Sequence, residues 1–103
     1  MNILILRLSS IGDILLSTPF IRQTRKRFPD AHIDFVIKSD FRDLVRFNPY
    51  IDKIITLDGR EGMDELKRLK TRLQSTAYSL IFDLHNNLRT NYLLQGYRGA
   101  EIT

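Results

Sequence analysis

Apolar and polar positions alternate along this chain in two distinct periods. Residues 2–7 (NILILR) form a nearly continuous apolar run, which suits a strand buried on both faces. Residues 33–37 (IDFVI), 53–57 (KIITL) and 79–83 (SLIFD) are short and rich in β-branched or aromatic side chains, and they predict three more strands. Between them the period lengthens. Met63, Leu66, Leu69 and Leu73 recur at spacings of three and four, so residues 61–76 read as an amphipathic helix. Phe41, Leu44 and Val45 mark a shorter helix, started by Ser39 or Asp40 and ended before Pro49. Leu88, Tyr92 and Leu93 predict a last helix that stops at Gly96, and GAEIT beyond it reads as the run-in to a fifth strand.

The order β-α-β-α-β-α-β-α implies right-handed crossovers and a mostly parallel sheet flanked by helices, an α/β fold of Rossmann-like type. Ligands bind such sheets at the carboxyl ends of the strands, where the strand order reverses. Ser9, Ser10, Gly12 and Asp13 follow the first strand on that edge, and Asp83, His85, Asn86 and Asn87 follow the fourth. If those two strands are neighbours, the two loops face each other.

With 103 residues, the chain is at most one domain, and the run-in to an extra strand at its end suggests a piece of one. There is no cysteine, which excludes disulfides and thiolate metal sites, and the two histidines, His32 and His85, cannot hold a metal without carboxylate help. No apolar run approaches the roughly 20 residues of a membrane span, and the first residues lack the pattern of a secretory signal. A cytoplasmic protein is expected. The formal charge of +4 is modest but unevenly spread: Arg22, Arg25, Lys26 and Arg27 cluster near the end of the first helix, and Lys67, Arg68, Lys70 and Arg72 along a later one. Such clusters complement a helix dipole or attract an anionic surface or substrate. No aromatic residues interleave with them, so nucleic acid is not an expected partner.

The candidate chemistry centres on Asp13. Ser10-Ile11-Gly12-Asp13 fits the pattern of a capping box, with the acid three positions after the cap. Pro19 would be costly inside a helix, which predicts a turn over 12–17 and a fresh start at Thr18-Pro19 running to Phe28. Phosphate binding at this turn is disfavoured: there is one glycine where a dinucleotide fingerprint needs three, no P-loop lysine, and an ionised acid that would repel the anion. A third reading makes Asp13 a general base beside a glycine that lets a substrate approach closely. The helix N-terminus would keep it a weak base, sufficient for a sugar hydroxyl that turns acidic as its new bond forms. His85 reads as a hydrogen-bonded structural residue and Asp83 as an orienter of the loop backbone.

Residues 3–37 resemble the opening of bacterial glycosyltransferase family 9, the ADP-heptose:lipopolysaccharide heptosyltransferases. The likeness rests on Ser9, Ser10, Gly12 and Asp13 (S-S-x-G-D), on Pro19, and on Pro29, Ala31, Ile33 and Asp34 (P-x-A-x-I-D). NPYIDKIITLD, residues 48–58, and YSLIFDLHNNLRTNYL are similar to the family's next segments, with Ser79 where aspartate is common. The resemblance implies the partial N-terminal, acceptor-side domain of a two-domain GT-B enzyme, spanning 1–103, with the C-terminal nucleotide-sugar domain absent. It implies inverting transfer of heptose from ADP-heptose to the anionic lipopolysaccharide inner core, with no metal in the chemical step and no cofactor. By carry-over Asp13 is the catalytic base, Ser9, Ser10 and Gly12 line the substrate, and Asn86, Asn87 and Arg89 face the cleft. The basic helix at 22–27 would suit a peripheral contact with the inner membrane, and this chain alone should be inactive. Two rivals are a non-enzymatic flavodoxin-like binding or signalling module, such as a receiver, which would need paired acids after the first strand where Arg7-Leu8-Ser9-Ser10 stands, to partner Asp58 after the third, and a GT-B transferase with another nucleotide sugar.

Overall fold

The computed structural model describes residues 1–58 and 62–103. In chain order its elements are β1 (Asn2–Leu6), α1 (Ile11–Arg27), β2 (His32–Lys38), a short 3-10 helix (Ser39–Leu44), β3 (Lys53–Leu57), α2 (Gly62–Gln74), β4 (Leu80–Asp83), α3 (Leu88–Leu94) and β5 (Glu101–Ile102). All strand pairings are parallel and the sheet order is β3-β2-β1-β4-β5. This is the Rossmann order; a flavodoxin-like sheet would run 2-1-3-4-5, so the flavodoxin-like alternative is overturned by topology.

Alternation along β1 divides the core. Ile3 and Ile5 face one side, where Ile14 and Ile21 of α1 pack with Ile33, Phe35 and Ile37 of β2. Leu4 and Leu6 face the other, against Leu66, Leu69 and Leu73 of α2 and Leu93 of α3. With helices on both sides, the central strand is sealed, and Ile3 through Leu6 have no solvent exposure. Burying each such side chain contributes roughly 1.5–3 kcal/mol, which is why the apolar run at 2–6 is a strand rather than a surface segment. On the α2 side, buried Asp34 accepts a hydrogen bond from the Tyr78 hydroxyl at 2.6 Å and pairs with His32 at 2.8 Å. Burial, then the Asp34 carboxylate, push the Tyr78 phenol well above its ordinary value.

Three expectations need correction. Helix α1 is continuous through Pro19 instead of breaking before it. The proline withholds the amide that would bond the Leu15 carbonyl, and the Thr18 hydroxyl donates to that carbonyl at 2.8 Å instead. The segment after β2 forms only the 3-10 helix 39–44, closed by the Val45 amide on the Arg42 carbonyl, as befits a piece too short for α-helical turns. Helix α2 ends at Gln74, and Met63, expected on its apolar stripe, is 55% exposed, so the buried stripe starts at Leu66. Position 61 of the expected 61–76 helix lies outside the described residues. The fifth strand is present as Glu101–Ile102.

Candidate functional site

Strand order reverses between β1 and β4, so the crevice expected of such a sheet opens between their exit loops. The ladder runs to the end of both strands, pairing Leu6 with Asp83, and the Leu84 amide donates to the Leu6 carbonyl at 3.0 Å. Register therefore sets Arg7 and Ser9 beside Leu84 and His85. The loops meet as expected: Arg7 Nη1 donates to the Leu84 carbonyl at 2.5 Å, and the His85 imidazole interacts with the Ser9 backbone.

Asp13 stands at the third position of α1, half-exposed. Arg7 Nη2 lies 2.6 Å from its Oδ2, and the Ser10 hydroxyl donates to the same oxygen at 3.1 Å. Ser10 occupies the N-cap position, yet its side chain makes no capping bond to the helix amides; it reaches the acid instead. The Ser10 hydroxyl, then the hydrogen bond and charge of Arg7, hold the Asp13 carboxyl below the ordinary carboxylate value, with burial working weakly against them. Asp13 is thus ionised at neutral pH, with both side-chain contacts on Oδ2. The carboxylate borders an open groove of about 290 Å³ formed by Arg7, Asp13, Leu16, Ser17, Phe20 and Leu84. A carboxylate whose side-chain partners share one oxygen, beside open space, can accept a proton from a bound hydroxyl.

The other expected residues divide. Ser9 joins the two loops through its backbone. Gly12 is already helical, with no positive φ, so the turn does not depend on it; a Cβ there would meet nothing within 4 Å, and the space before it is open. Asp83 orients its loop: its Oδ1 accepts from the His85 amide at 3.1 Å and the Asn86 amide at 2.8 Å. Asn86 takes a left-handed conformation, φ 47°, and borders a separate hollow with Asn91, Gln95 and Thr103. The side chain of Asn87 is engaged in a reciprocal capping box with Thr90 at the start of α3. Arg89 borders a pocket of about 160 Å³ with Leu57, Asp58, Met63 and Leu66, away from the Asp13 groove. A larger groove of about 550 Å³ runs along the side of α1 by Pro19, Phe47 and Tyr50, and shares no lining residue with the Asp13 groove.

This chain is similar to several sugar transferases. A Pseudomonas aeruginosa protein, lipopolysaccharide heptosyltransferase 1, is 24% identical over 102 residues, covering 90% of this chain and 29% of that protein. Lipopolysaccharide heptosyltransferase 3 of Escherichia coli K12 is 33% identical over 79 residues, covering 71% of this chain and 23% of its own length. The crystal structure of a glycosyl transferase family 9 protein from Veillonella parvula superposes with a TM-score of 0.87 at 30% identity, over 98% of this chain and 30% of that one. This chain is a relative of glycosyltransferase family 9. No protein-family profile matches it. It spans under a third of the length of each of these family 9 and heptosyltransferase relatives. Among the described residues no helix is long and apolar enough to cross a membrane.

The family 9 likeness begins its signature at Ser9, and sequence reasoning accordingly passed over Arg7. The signal was faint but present: a lone cation ending an apolar run, six residues before an acid, at a sheet edge. Lys38 at the end of β2 adds a second positive charge there, felt by His85.

Proposed function

We propose that this chain is the acceptor-side part of a GT-B heptosyltransferase, and that Asp13 is its general base. In this reading the acceptor sugar of an anionic lipopolysaccharide core lies in the Asp13 groove, and the ADP-heptose donor is held mainly by a nucleotide-binding domain outside these residues. Asp13 removes the acceptor hydroxyl proton as that oxygen forms its bond to the anomeric carbon of heptose. The bond from that carbon to the ADP phosphate oxygen breaks, ADP leaves with the electron pair, and the centre inverts. Ser9, Ser10 and Gly12 shape the floor beside the reacting sugars, while Asn86 and Arg89, which border separate hollows, take no part in that groove. The exposed Arg22, Lys26 and Arg27 at the end of α1 suit a peripheral approach to the inner-membrane surface.

One observation carries the reading: an ionised, half-exposed carboxylate at the topological switch point, held through Oδ2 beside an open groove. Its lowered pKa makes it a weak base, which suffices when the hydroxyl becomes acidic late in bond formation.

The test is made in the full-length polypeptide that carries this segment, with ADP-heptose and a core acceptor. Asp13→Asn and Asp13→Ala are expected to lower kcat by roughly 10²–10⁴-fold with the melting temperature little changed. Near-normal turnover in both variants overturns the base assignment. The isolated 103-residue chain is expected to show no turnover.

A further inference from the structure

Arg7 is built into the structure at both ends. Its amide donates to the Val36 carbonyl at 3.1 Å, which fixes its backbone against β2. Its guanidinium then divides between two elements that are remote in sequence. Nη2 meets Asp13 Oδ2 at 2.6 Å, and Nη1 meets the Leu84 carbonyl at 2.5 Å. The side chain is only 18% exposed although it carries a full charge. A guanidinium is a rigid planar fork, so the separation and direction of its two outer nitrogens are set by covalent geometry. Whatever holds one nitrogen therefore constrains the partner of the other.

We propose that Arg7 is the positioning residue of this site: seated on the Leu84 carbonyl, it fixes the plane of the Asp13 carboxylate and mechanically joins that carboxylate to the exit loop of β4. The inference rests on the reading of Asp13 as the base, for which it supplies orientation. The Arg7 and Ser10 side chains both occupy Oδ2, so Oδ1, the oxygen without a side-chain partner, is assigned as the proton acceptor. The β4 loop, ordered by Asp83 through the His85 and Asn86 amides, is then part of the base's support although it contributes no reacting atom. A lysine at position 7 would supply the charge without the fork. It could pair with Asp13 or approach Leu84, without fixing one relative to the other.

The experiment is a carbon-detected NMR titration of this chain from neutral to acid pH, following the Asp13 carboxyl carbon and the Leu84 carbonyl carbon together. Other charged groups lie close by: His85 of the β4 loop interacts with Arg7, and with Asp83 of the same loop and Lys38 from the end of β2. The His85 ring and Asp83 carboxyl are followed in the same spectra to separate their midpoints. In the unaltered chain, Leu84 is expected to shift with the midpoint of Asp13, because protonating the carboxylate releases Nη2 and lets the fork re-seat. In Arg7→Gln the Asp13 midpoint is expected to rise toward the ordinary carboxylate range, and the Leu84 step to disappear. In Arg7→Lys the midpoint is expected to stay low while the Leu84 step still disappears, which separates geometry from charge. A Leu84 carbonyl silent at the Asp13 midpoint in the unaltered chain overturns the proposal, and that measurement needs no variant to fold. So does a Leu84 step that survives in Arg7→Lys. The titration involves no substrate, so failure of the base assignment shows only in the transfer assay and failure of the positioning role only here.

Discussion

Two arginine–aspartate pairs stand at opposite edges of the sheet, and by their distances they are the same. Arg7–Asp13 and Arg25–Asp52 both close to 2.6 Å, and both arginines are 18% exposed. They differ in what is left over. Arg25 Nη1 donates to the carbonyls of Pro29 and Ala31, and its Nη2 to the Tyr50 carbonyl and Asp52. Asp52 in turn accepts from the Ile33 amide at 2.7 Å. The pair closes on itself and ties the end of α1 to the starts of β2 and β3. At the other edge, Arg7 Nε is buried without a hydrogen-bond partner among the described residues, its outer nitrogens meet one carbonyl and Asp13, and that carboxylate borders a groove. The arginine that supports the fold spends its outer nitrogens on three carbonyls besides its acid, whereas the arginine beside the groove holds one carbonyl and its acid.

The largest expected effect breaks the closed pair. Arg25→Met leaves three carbonyls and a carboxylate short of a donor at once, and is expected to cost about 2–3 kcal/mol in a urea denaturation experiment. Burial pushes the Asp52 carboxyl upward, but the Ile33 amide and Arg25 outweigh it and hold the group low. A carboxyl lowered in the folded state stabilises fully above its unfolded value of about 3.9, and that stabilisation is lost as pH falls through the folded value. Arg25→Met should therefore also weaken the acid dependence of stability. Arg7→Gln in the same experiment is expected to cost less. An equal or larger loss there would mean that the open pair is a structural staple too, and the contrast would collapse.

This contrast was only partly legible in the sequence. The fold was legible because burial on both faces leaves continuous apolar runs, and 2–7, 33–37 and 53–57 each became a strand within a residue or so of its expected ends. Asp13 was legible because an acid at the first turn after β1 needs only topology to place it. Arg25 was not: it stood among Arg22, Lys26 and Arg27 as one of a solvated cluster, and only the fold brings Pro29, Ala31, Tyr50 and Asp52 around it. The break expected at Pro19 failed for a local reason, since the neighbouring Thr18 hydroxyl supplies the missing donor. The stripe position Leu88 is 88% exposed, because the seven-residue helix α3 turns Thr90, Leu93 and Leu94 inward instead.

Asn87 sharpens the same distinction at smaller scale. Its side chain and that of Thr90 satisfy each other's backbone amides at 3.0 Å, a closed arrangement like that of Arg25. Asn87→Ala is expected to cost about 1 kcal/mol, and Asn87→Asp or Asn87→Ser to recover most of it. Recovery of stability by serine together with full transfer activity in the longer polypeptide would assign Asn87 to the fold. Activity lost in the serine variant despite restored stability would return Asn87 to the cleft.

The smallest expected effect concerns His85, which sits between the two kinds of arrangement. Burial first, then the Arg7 charge, hold its pKa below the ordinary imidazole value, while Asp83 and the Ser9 backbone pull the other way. Its Nδ1 is buried without a hydrogen-bond partner among the described residues. The unfolded chain takes up this proton near pH 6.5, while the folded chain resists it until the pH is lower. Between those two values the unfolded state binds more protons, so stability is full above the unfolded pKa and falls as pH drops through the folded one. Urea titrations of the unaltered chain and of His85→Gln, at steps from about pH 7.5 to about pH 5, isolate this contribution, because other titrating groups largely cancel in the difference. The unaltered chain is expected to lose more stability over that range than the glutamine variant. Identical slopes would mean that the imidazole takes up its proton as easily folded as unfolded. The β4 loop would then tolerate a second cation beside Arg7, which a guanidinium holding both the Leu84 carbonyl and Asp13 should not allow.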